Sequence, residues 1–272
     1  MSPAASCRST AAGRRCDVTL SFDDDGAVRV LKLDRPEKRN AFTLESMAAL
    51  QERLDEDLSD PRIRAFVLTG SEGTFCAGVD VAVLENATVT GTYDNLNALH
   101  RTVRTLAAGA KPVVAAVEGH AVGAGLSLAL ACDLVVAAED ATFRCAFPRL
   151  GLMADLGLLW SLPKRVGDGR ARRMLLLDEP VRGDEAVGIG LADYPAAPGE
   201  ALPAAMDVAR RLAEQPPMAV AFTKAMLAGG HQSLDAILRH EASDQALLHG
   251  TADFREGVKA FTERRAPSFT GR

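Results

Sequence analysis

Two short glycine-containing segments are the parts of this sequence whose residue types and positions best fit a chemical task. They are Ala77–Asp80 and Gly123–Gly125, and each lies where the pattern predicts a turn that opens a helix. The first turn of a helix has backbone N–H groups without partners and carries a partial positive charge. Small residues in such turns let a substrate oxygen approach closely. Two of these turns facing one oxygen atom would form an oxyanion hole.

Each segment also has a purely structural interpretation, because a tight connection from a loop to a helix often needs glycine for its backbone conformation alone. Asp80 is placed to cap a helix, which fits that interpretation. The Gly123–Gly125 turn follows a predicted strand and therefore also raises a dinucleotide site. Leu128 replaces the third glycine of that fingerprint, which disfavours a nicotinamide or flavin enzyme.

Other classes of function leave no trace in the sequence. Ser127 lacks the second glycine of a nucleophile elbow, the five histidines have no metal-ligand spacing, and no P-loop occurs. The net charge of -5 argues against a nucleic-acid partner, and no apolar run approaches the roughly 18 residues that a membrane span requires. We therefore predict no metal site, no nucleic-acid partner and no membrane span.

The elements that must position the two segments alternate between strand and helix patterns. Strands are predicted at 18–22, 28–33, 64–70, 113–119, 133–140 and 142–147. The first two are joined by a predicted turn at 23–26, and Thr43 is predicted to cap a helix without a full capping box, because residue 46 is serine. Strands that alternate with helices predict a parallel sheet with right-handed crossovers.

The character of the chain changes at about residue 198. Four helical patterns follow, at 200–214, 216–229, 233–249 and 251–264. We expect their apolar faces to pack against the core or against another subunit. The predicted organisation is a leader at 1–16, a core with the active site at 17–197, and a helical region at 198–272 for oligomerisation and pocket closure.

The first 16 residues and the cysteines bear on where the protein works. The N-terminal segment is rich in arginine, serine and alanine but lacks the apolar region of a signal peptide. We interpret it as a flexible leader, with a short transit peptide as the alternative. The five cysteines are odd in number and form no C-x-x-C pair, which favours a reducing compartment. The prediction is a cytoplasmic protein.

Several segments together resemble the enoyl-CoA hydratase/isomerase (crotonase) superfamily. They are Leu33–Phe42, Phe75–Val81, Val117–Gly125, Ala131–Leu134 and a C-terminal stretch from Glu256 to Pro267. The resemblance implies an α/β fold built as a spiral of ββα units with a helical C-terminal trimerisation region. It also implies a homotrimer or a dimer of trimers, an acyl-CoA thioester as substrate, and no cofactor beyond the coenzyme A of that substrate.

The resemblance also implies roles for individual residues. The oxyanion-hole donors would be the backbone N–H groups of Val79 and Ala124. Contacts to the substrate or its CoA part would come from Lys38, Arg39, Ala41, Ala77, Gly78, Asp80, Gly123, Ser127 and Phe147. The two basic residues would meet phosphate groups, although ordinary surface bases fit the same positions.

Two positions depart from the family pattern in a way that bears on the reaction. Hydratases of the family use two glutamates, and the corresponding residues here are Ser127 and Phe147. Neither side chain can transfer a proton as a carboxylate does at neutral pH. Asp155 instead matches the catalytic aspartate of several relatives, including ring-opening isomerases of aromatic catabolism, although Ala154 replaces the preceding proline.

Asp155 is therefore the predicted catalytic base. Its neighbours in the sequence are apolar, and desolvation would raise its pKa towards a useful value; a helix cap is the alternative role. The expected reaction is double-bond isomerisation through an enolate. Two alternatives stay open: a hydratase that uses Asp155 with Glu85 or Glu139, and a catalytically silent acyl-CoA-binding paralogue.

Overall fold

The computed structural model describes residues 20–85, 87–229 and 233–272, so the predicted leader at 1–16 lies outside the described residues. The strands are β1 (Leu20–Asp25), β2 (Val28–Leu33), β3 (Ala65–Gly70), β4 (Val113–Val117), β5 (His120–Val122), β6 (Leu134–Ala138), β7 (Thr142–Arg144), β8 (Val181–Arg182) and β9 (Tyr194–Ala196). The helices are α1 (Leu44–Ser59), α2 (Val81–Glu85), α3 (Val89–Ala108), α4 (Ala124–Ala131), α5 (Leu158–Leu177), α6 (Gly183–Gly188), α7 (Ala201–Ala213), α8 (Pro217–Ala228), α9 (Leu234–His249) and α10 (Ala252–Glu263). These elements form a mixed α/β fold.

Six strands form the main sheet in the order β1-β2-β3-β4-β6-β9. The hairpin pair β1–β2 is antiparallel and all other neighbours are parallel, which confirms the predicted parallel arrangement. A second sheet, β5-β7-β8, begins where the chain leaves β4. This transfer between sheets places the turn before α4 above the end of the main sheet, where the first glycine-containing segment also lies.

The hairpin turn falls later than predicted, at Gly26 and Ala27 rather than at 23–26. The aspartates remain in β1 because Asp23 and Asp24 form ion pairs with Lys32 and Arg29 of β2. Cross-strand pairs of opposite charge stabilise such a ladder, so residues that favour turns in isolation extend the strand here.

Two other local predictions were wrong. The cap of α1 is a complete capping box, because the Ser46 hydroxyl accepts from the Thr43 N–H at 2.9 Å while Thr43 Oγ1 accepts from the Ser46 N–H. Serine thus takes the part that glutamate usually has. The strand predicted at 142–147 ends at Arg144, since Ala146 has a φ of 59° and starts a 3-10 helix at Phe147–Leu150.

The four C-terminal helices agree closely with the sequence pattern. The first of them, α7, packs across β3, β4 and β6 of the main sheet, with Ala201, Ala205 and Ala209 fully buried. It therefore belongs structurally to the core, while α8, α9 and α10 extend beyond it. In the part of the chain that the structure describes, no helix combines the length and apolar character needed to cross a membrane.

Candidate active site

The structure brings the two glycine-containing turns side by side. Cys76 and Ala121 form a parallel β-bridge, in which the Cys76 N–H donates to His120 O at 2.8 Å and Cys76 O accepts from the Val122 N–H at 3.0 Å. At Gly78 an added Cβ would lie 3.0 Å from Val122 O and 3.5 Å from Ala124 N, so the two turns are in direct contact. The sequence pattern predicted both turns, and their contact comes from this bridge.

The N–H groups of Val79 and Ala124 have the character of oxyanion-hole donors. The parallel bridge between Phe42 and Val79 uses Gly78 O and Asp80 N, so the N–H of Val79 points away from its partner strand. Ala124 is the first residue of α4, where helical N–H groups have no intrahelical acceptor. Within residues 20–85, 87–229 and 233–272, neither group donates a hydrogen bond.

Gly125 allows α4 to begin this close to the first turn. A Cβ at this position would lie 2.3 Å from Cys76 O, a distance that forces the backbones apart. Gly123 precedes α4 with a φ of 56°, donates its N–H to Arg144 O at 2.9 Å and accepts from Ser127 N at 3.1 Å. The turn is thus held on both sides by the backbone.

Asp80 supports the first turn through two contacts of its carboxylate. Oδ1 accepts from the Ala82 N–H at 3.1 Å and caps α2, and Oδ2 pairs with the Arg35 guanidinium at 2.5 Å. The backbone N–H of Ala82 and the Arg35 guanidinium hold the pKa of Asp80 below its usual range. The helix-cap role is confirmed. Arg35 was missed as a supporting residue, although it lies inside the Leu33–Phe42 segment.

Asp155 lies in surroundings that fit a general base. Burial raises the pKa of its carboxyl group to about 6, and Oδ1 is buried without a hydrogen-bond partner. Gly157 occupies the N-cap position of α5, and no side chain caps that helix. The alternative interpretation of Asp155 as a helix cap is therefore wrong.

Ser127 and Phe147 are both buried beside this site. Ser127 is 0% exposed, and its hydroxyl lies 3.3 Å from Gly123 O and 3.1 Å from Asp155 O. Phe147 is 6% exposed at the start of the 3-10 helix. The predicted substrate contact of the Ser127 side chain has no open path in this structure, whereas its contact with the Asp155 backbone is direct.

The predicted CoA-contacting residues Lys38, Arg39 and Ala41 lie in the loop between β2 and α1, which is hydrogen-bonded to the first turn. Lys38 and Arg39 are exposed, and Arg39 O accepts from the Ala77 N–H at 3.0 Å. Ala41 donates its N–H to Lys38 O at 3.0 Å. A phosphate group bound by the two bases would therefore contact a loop that is hydrogen-bonded to the oxyanion turn.

Asp178 is a supporting residue that sequence patterns did not indicate. Its buried carboxylate accepts from Arg144 Nε at 2.8 Å, Arg149 Nε at 2.6 Å and the Ala146 N–H at 2.7 Å. Although burial opposes ionisation, these donors lower the pKa of Asp178 below its usual value. Because Arg144 O accepts from the Gly123 N–H, the carboxylate stabilises the segment behind the second turn. No local sequence motif indicates this role of Asp178.

The arrangement has the parts expected of an oxyanion-hole enzyme: two backbone N–H groups without an acceptor among the described residues, and one carboxyl group of raised pKa, on an α/β fold. Among the described residues, no group of His, Cys, Asp and Glu side chains is arranged to hold a metal ion. The two N–H groups can polarise an oxygen atom, and a carboxyl group such as that of Asp155 can transfer a proton.

Comparison with known proteins agrees with this class. The family described as enoyl-CoA hydratase/isomerase matches residues 23–272. A 1,2-epoxyphenylacetyl-CoA isomerase of Escherichia coli is 38% identical, covering 93% of this chain and 98% of that protein. A crotonyl-CoA hydratase of Syntrophomonas wolfei is 32% identical, covering 92% and 97%. This chain belongs to the enoyl-CoA hydratase/isomerase family.

Solved structures support the same fold. The crystal structure of an enoyl-CoA hydratase from Polaromonas sp. JS666 has a TM-score of 0.88 at 33% identity, covering 92% of this chain and 99% of that one. The predicted crotonase-type fold and the prediction of an enzyme of this family are therefore confirmed. The relatives include both hydratases and an isomerase, so family membership leaves the reaction open.

Proposed function

We propose that the protein is an acyl-CoA double-bond isomerase that works through an enolate with a single carboxylate base. The thioester carbonyl oxygen accepts from the N–H groups of Val79 and Ala124. Lys38 and Arg39 bind phosphate groups of the CoA part through charge-assisted hydrogen bonds. The substrate brings the only coenzyme in this scheme, so no other cofactor takes part.

The two backbone donors make the C–H group that loses its proton more acidic. As a proton leaves the carbon α or γ to the carbonyl, negative charge develops on the thioester oxygen, which lies between the two N–H groups. Loss of one such donor typically costs about 10²–10³ in rate. Because backbone supplies both donors, the side chains of valine and alanine at these positions need only be compatible with the turn.

Asp155 moves the proton. Its carboxylate takes the proton from one carbon, the C–H electron pair enters the conjugated enolate, and the resulting carboxylic acid returns the proton to the other carbon. The double bond shifts and the atoms balance without water. With a pKa of about 6, the base is ionised at neutral pH, so we expect kcat/KM to fall as the pH drops below about 6.

One observation carries the proposal: Asp155, whose backbone carbonyl accepts from the Ser127 hydroxyl of α4, has a carboxyl Oδ1 that is buried without a hydrogen-bond partner. The positions at which hydratases of the family have glutamates hold the buried residues Ser127 and Phe147. One acid–base group suits a 1,3-proton transfer, whereas hydration needs a second group to activate water.

Hydration is the second candidate, because relatives with similar identity are named as hydratases. It would need a partner for Asp155. Glu85 and Glu139 are both exposed; Glu85 ends the helix that Asp80 caps, while Glu139 follows β6 at the end of the main sheet. Neither has a described contact with the two turns, which favours isomerisation.

Assays of the purified protein with 3-enoyl-CoA and 2-enoyl-CoA thioesters test the proposal. We expect conversion of 3-enoyl to 2-enoyl thioesters, without 3-hydroxyacyl products, and a loss of about 10²–10⁴ in kcat for Asp155→Ala. Isomerisation that survives this substitution would overturn the role of Asp155. Hydration of 2-enoyl-CoA at ordinary enzyme rates would favour the second candidate, and tight CoA binding without turnover would indicate a silent paralogue.

A further inference from the structure

The hydroxyl of Ser127 joins the two chemical parts of the site. Its Oγ lies 3.3 Å from Gly123 O, at the start of the oxyanion turn, and 3.1 Å from Asp155 O, 28 residues further along the chain. The side chain is fully buried, so water does not compete for this hydroxyl. The contact links helix α4 directly to the segment that precedes α5.

The contact with Asp155 is the more important of the two. A hydroxyl group has one proton to donate, and Gly123 O already accepts from the Ser127 N–H at 3.1 Å. A serine in a helix commonly turns its hydroxyl back to the carbonyl four residues earlier, which explains the Gly123 contact. The shorter contact, to Asp155 O, is not local and has no such routine cause.

The backbone of the Asp155 segment sets where its carboxyl group can lie. Oδ1 of this group is buried without a hydrogen-bond partner, so no contact of Oδ1 orients it. The segment lies outside helices and strands, and the following residue, Leu156, has a φ of 46°. Asp155 O is held by the Leu158 N–H at 3.0 Å on the α5 side and by Ser127 on the α4 side.

We propose that Ser127 is a positioning residue, which holds the Asp155 segment in register with the N–H group of Ala124. It contacts no substrate and transfers no proton; it acts through Asp155, so this inference rests on the proposed function. The register matters because proton transfer from carbon requires the base and the polarised carbonyl to engage the same substrate at once, and small displacements lower the rate strongly.

Kinetic comparison of Ser127→Ala and Ser127→Cys with the unchanged protein tests the inference. We expect Ser127→Ala to lower kcat by about ten- to hundredfold with KM changed less than about twofold, and to shift the acidic limb of the pH profile. Ser127→Cys keeps a weak donor and should recover part of the loss. Thr69→Val is the matched control, because Thr69 is also buried and donates to Ala116 O at 3.0 Å.

The Thr69→Val protein should lose stability in thermal unfolding but keep its kcat and pH profile. If Ser127→Ala shows the same pattern as this control, Ser127 is merely structural and the inference fails. If the Ser127→Ala protein is unfolded and inactive, and Ser127→Cys restores neither folding nor activity, the inference also fails.

A double-mutant cycle separates this inference from the proposed function. In an Asp155→Glu background the carboxylate is already displaced, so we expect Ser127→Ala to cost at most about twofold there, a non-additive result. Additive losses would overturn the positioning role. Full isomerase activity of Asp155→Ala, in contrast, would overturn the proposed function itself, whatever Ser127→Ala does.

Discussion

The surroundings of the Asp155 carboxyl group favour its protonated form more than water does. Burial raises its pKa from 3.8 to about 6, and the partnerless Oδ1 lacks the hydrogen bonds that would stabilise a charge. A base poised near neutral pH is useful for catalysis, but an ionised carboxylate in such surroundings opposes folding. The same residue should therefore contribute to activity and lower stability at neutral pH.

Replacement of Asp155 by asparagine tests this trade-off. The raised pKa means that the folded state favours the protonated carboxyl group. Its contribution to the free energy of unfolding is therefore complete below about pH 3.8 and is lost as the pH rises through about 6. We expect Asp155→Asn to raise the free energy of unfolding by roughly 1–3 kcal/mol at pH 8, with the gain shrinking towards zero at pH 4. Urea unfolding at both pH values measures it.

The exposed Asp168 of α5 provides the control for this experiment. Asp168→Asn removes the same charge from the surface and should leave stability within about 0.5 kcal/mol at either pH. A stability of Asp155→Asn equal to that of the unchanged protein at pH 8 would show that the carboxyl group is well solvated. The assignment of a raised pKa would then be wrong.

At the scale of elements, the proposed oxyanion hole depends on the junction between the Cys76–Val79 segment and the first turn of α4. Gly125→Ala places a Cβ 2.3 Å from Cys76 O and 2.9 Å from Cys76 Cβ. Because the Cys76 carbonyl is backbone, α4 must move, and the N–H of Ala124 moves with it. We expect kcat to fall by at least about 10², measured with the preferred enoyl-CoA substrate.

Gly188→Ala is the matched control, since a Cβ at this end of α6 meets nothing within 4 Å. Alanine is the better helix former, so this variant should keep its activity and its stability. If Gly125→Ala is as active as Gly188→Ala, the two turns do not need their close approach, and the oxyanion-hole assignment to Val79 and Ala124 fails.

The sequence predicted the elements of the site better than their contacts. Turns at Ala77–Asp80 and Gly123–Gly125 follow from glycine and from the strands before them, so local patterns suffice to find them. The Cys76–Ala121 bridge that joins these turns depends on register between two distant segments. Asp178 was missed for the same reason: it contacts Arg144 and Arg149 across about 30 residues, and no spacing rule indicates such pairs.

At the scale of the whole molecule, an ion pair with a buried lysine connects α8 of the C-terminal region to the core. Lys224 of α8 lies 2.6 Å from Asp133 Oδ2 and donates to Lys111 O at 2.9 Å, with its side chain 4% exposed. Burial raises the pKa of Asp133, and the Lys224 ammonium group opposes that shift. Removal of the lysine would leave a carboxylate largely buried without its cation.

Lys224→Met should therefore lower the free energy of unfolding by about 3 kcal/mol at neutral pH, measured by urea unfolding. The ion pair between the exposed Arg62 and Asp60 supplies the control, and Arg62→Met should cost less than about 1 kcal/mol. Equal effects of the two substitutions would show that α8 is not fixed to the core through Lys224.

The helical C-terminal region was predicted well because its apolar residues recur with helical spacing, and this signal is local. The role of that region in assembly stays a prediction. Several apolar side chains there are exposed in the single chain: Leu227, Leu234, Leu247, Val258 and Phe261. A homotrimer or dimer of trimers would cover such residues, and sedimentation equilibrium of the purified protein measures the number of copies.

The most direct test of the central claim is a crystal structure of the protein with a bound enoyl-CoA analogue. We predict the thioester oxygen within about 2.7–3.1 Å of both Val79 N and Ala124 N. A carboxylate oxygen of Asp155 should lie within about 3–3.5 Å of the carbon α or γ to the carbonyl. A complex in which another carboxylate takes that place, or in which the thioester oxygen lies away from the two N–H groups, would contradict the claim.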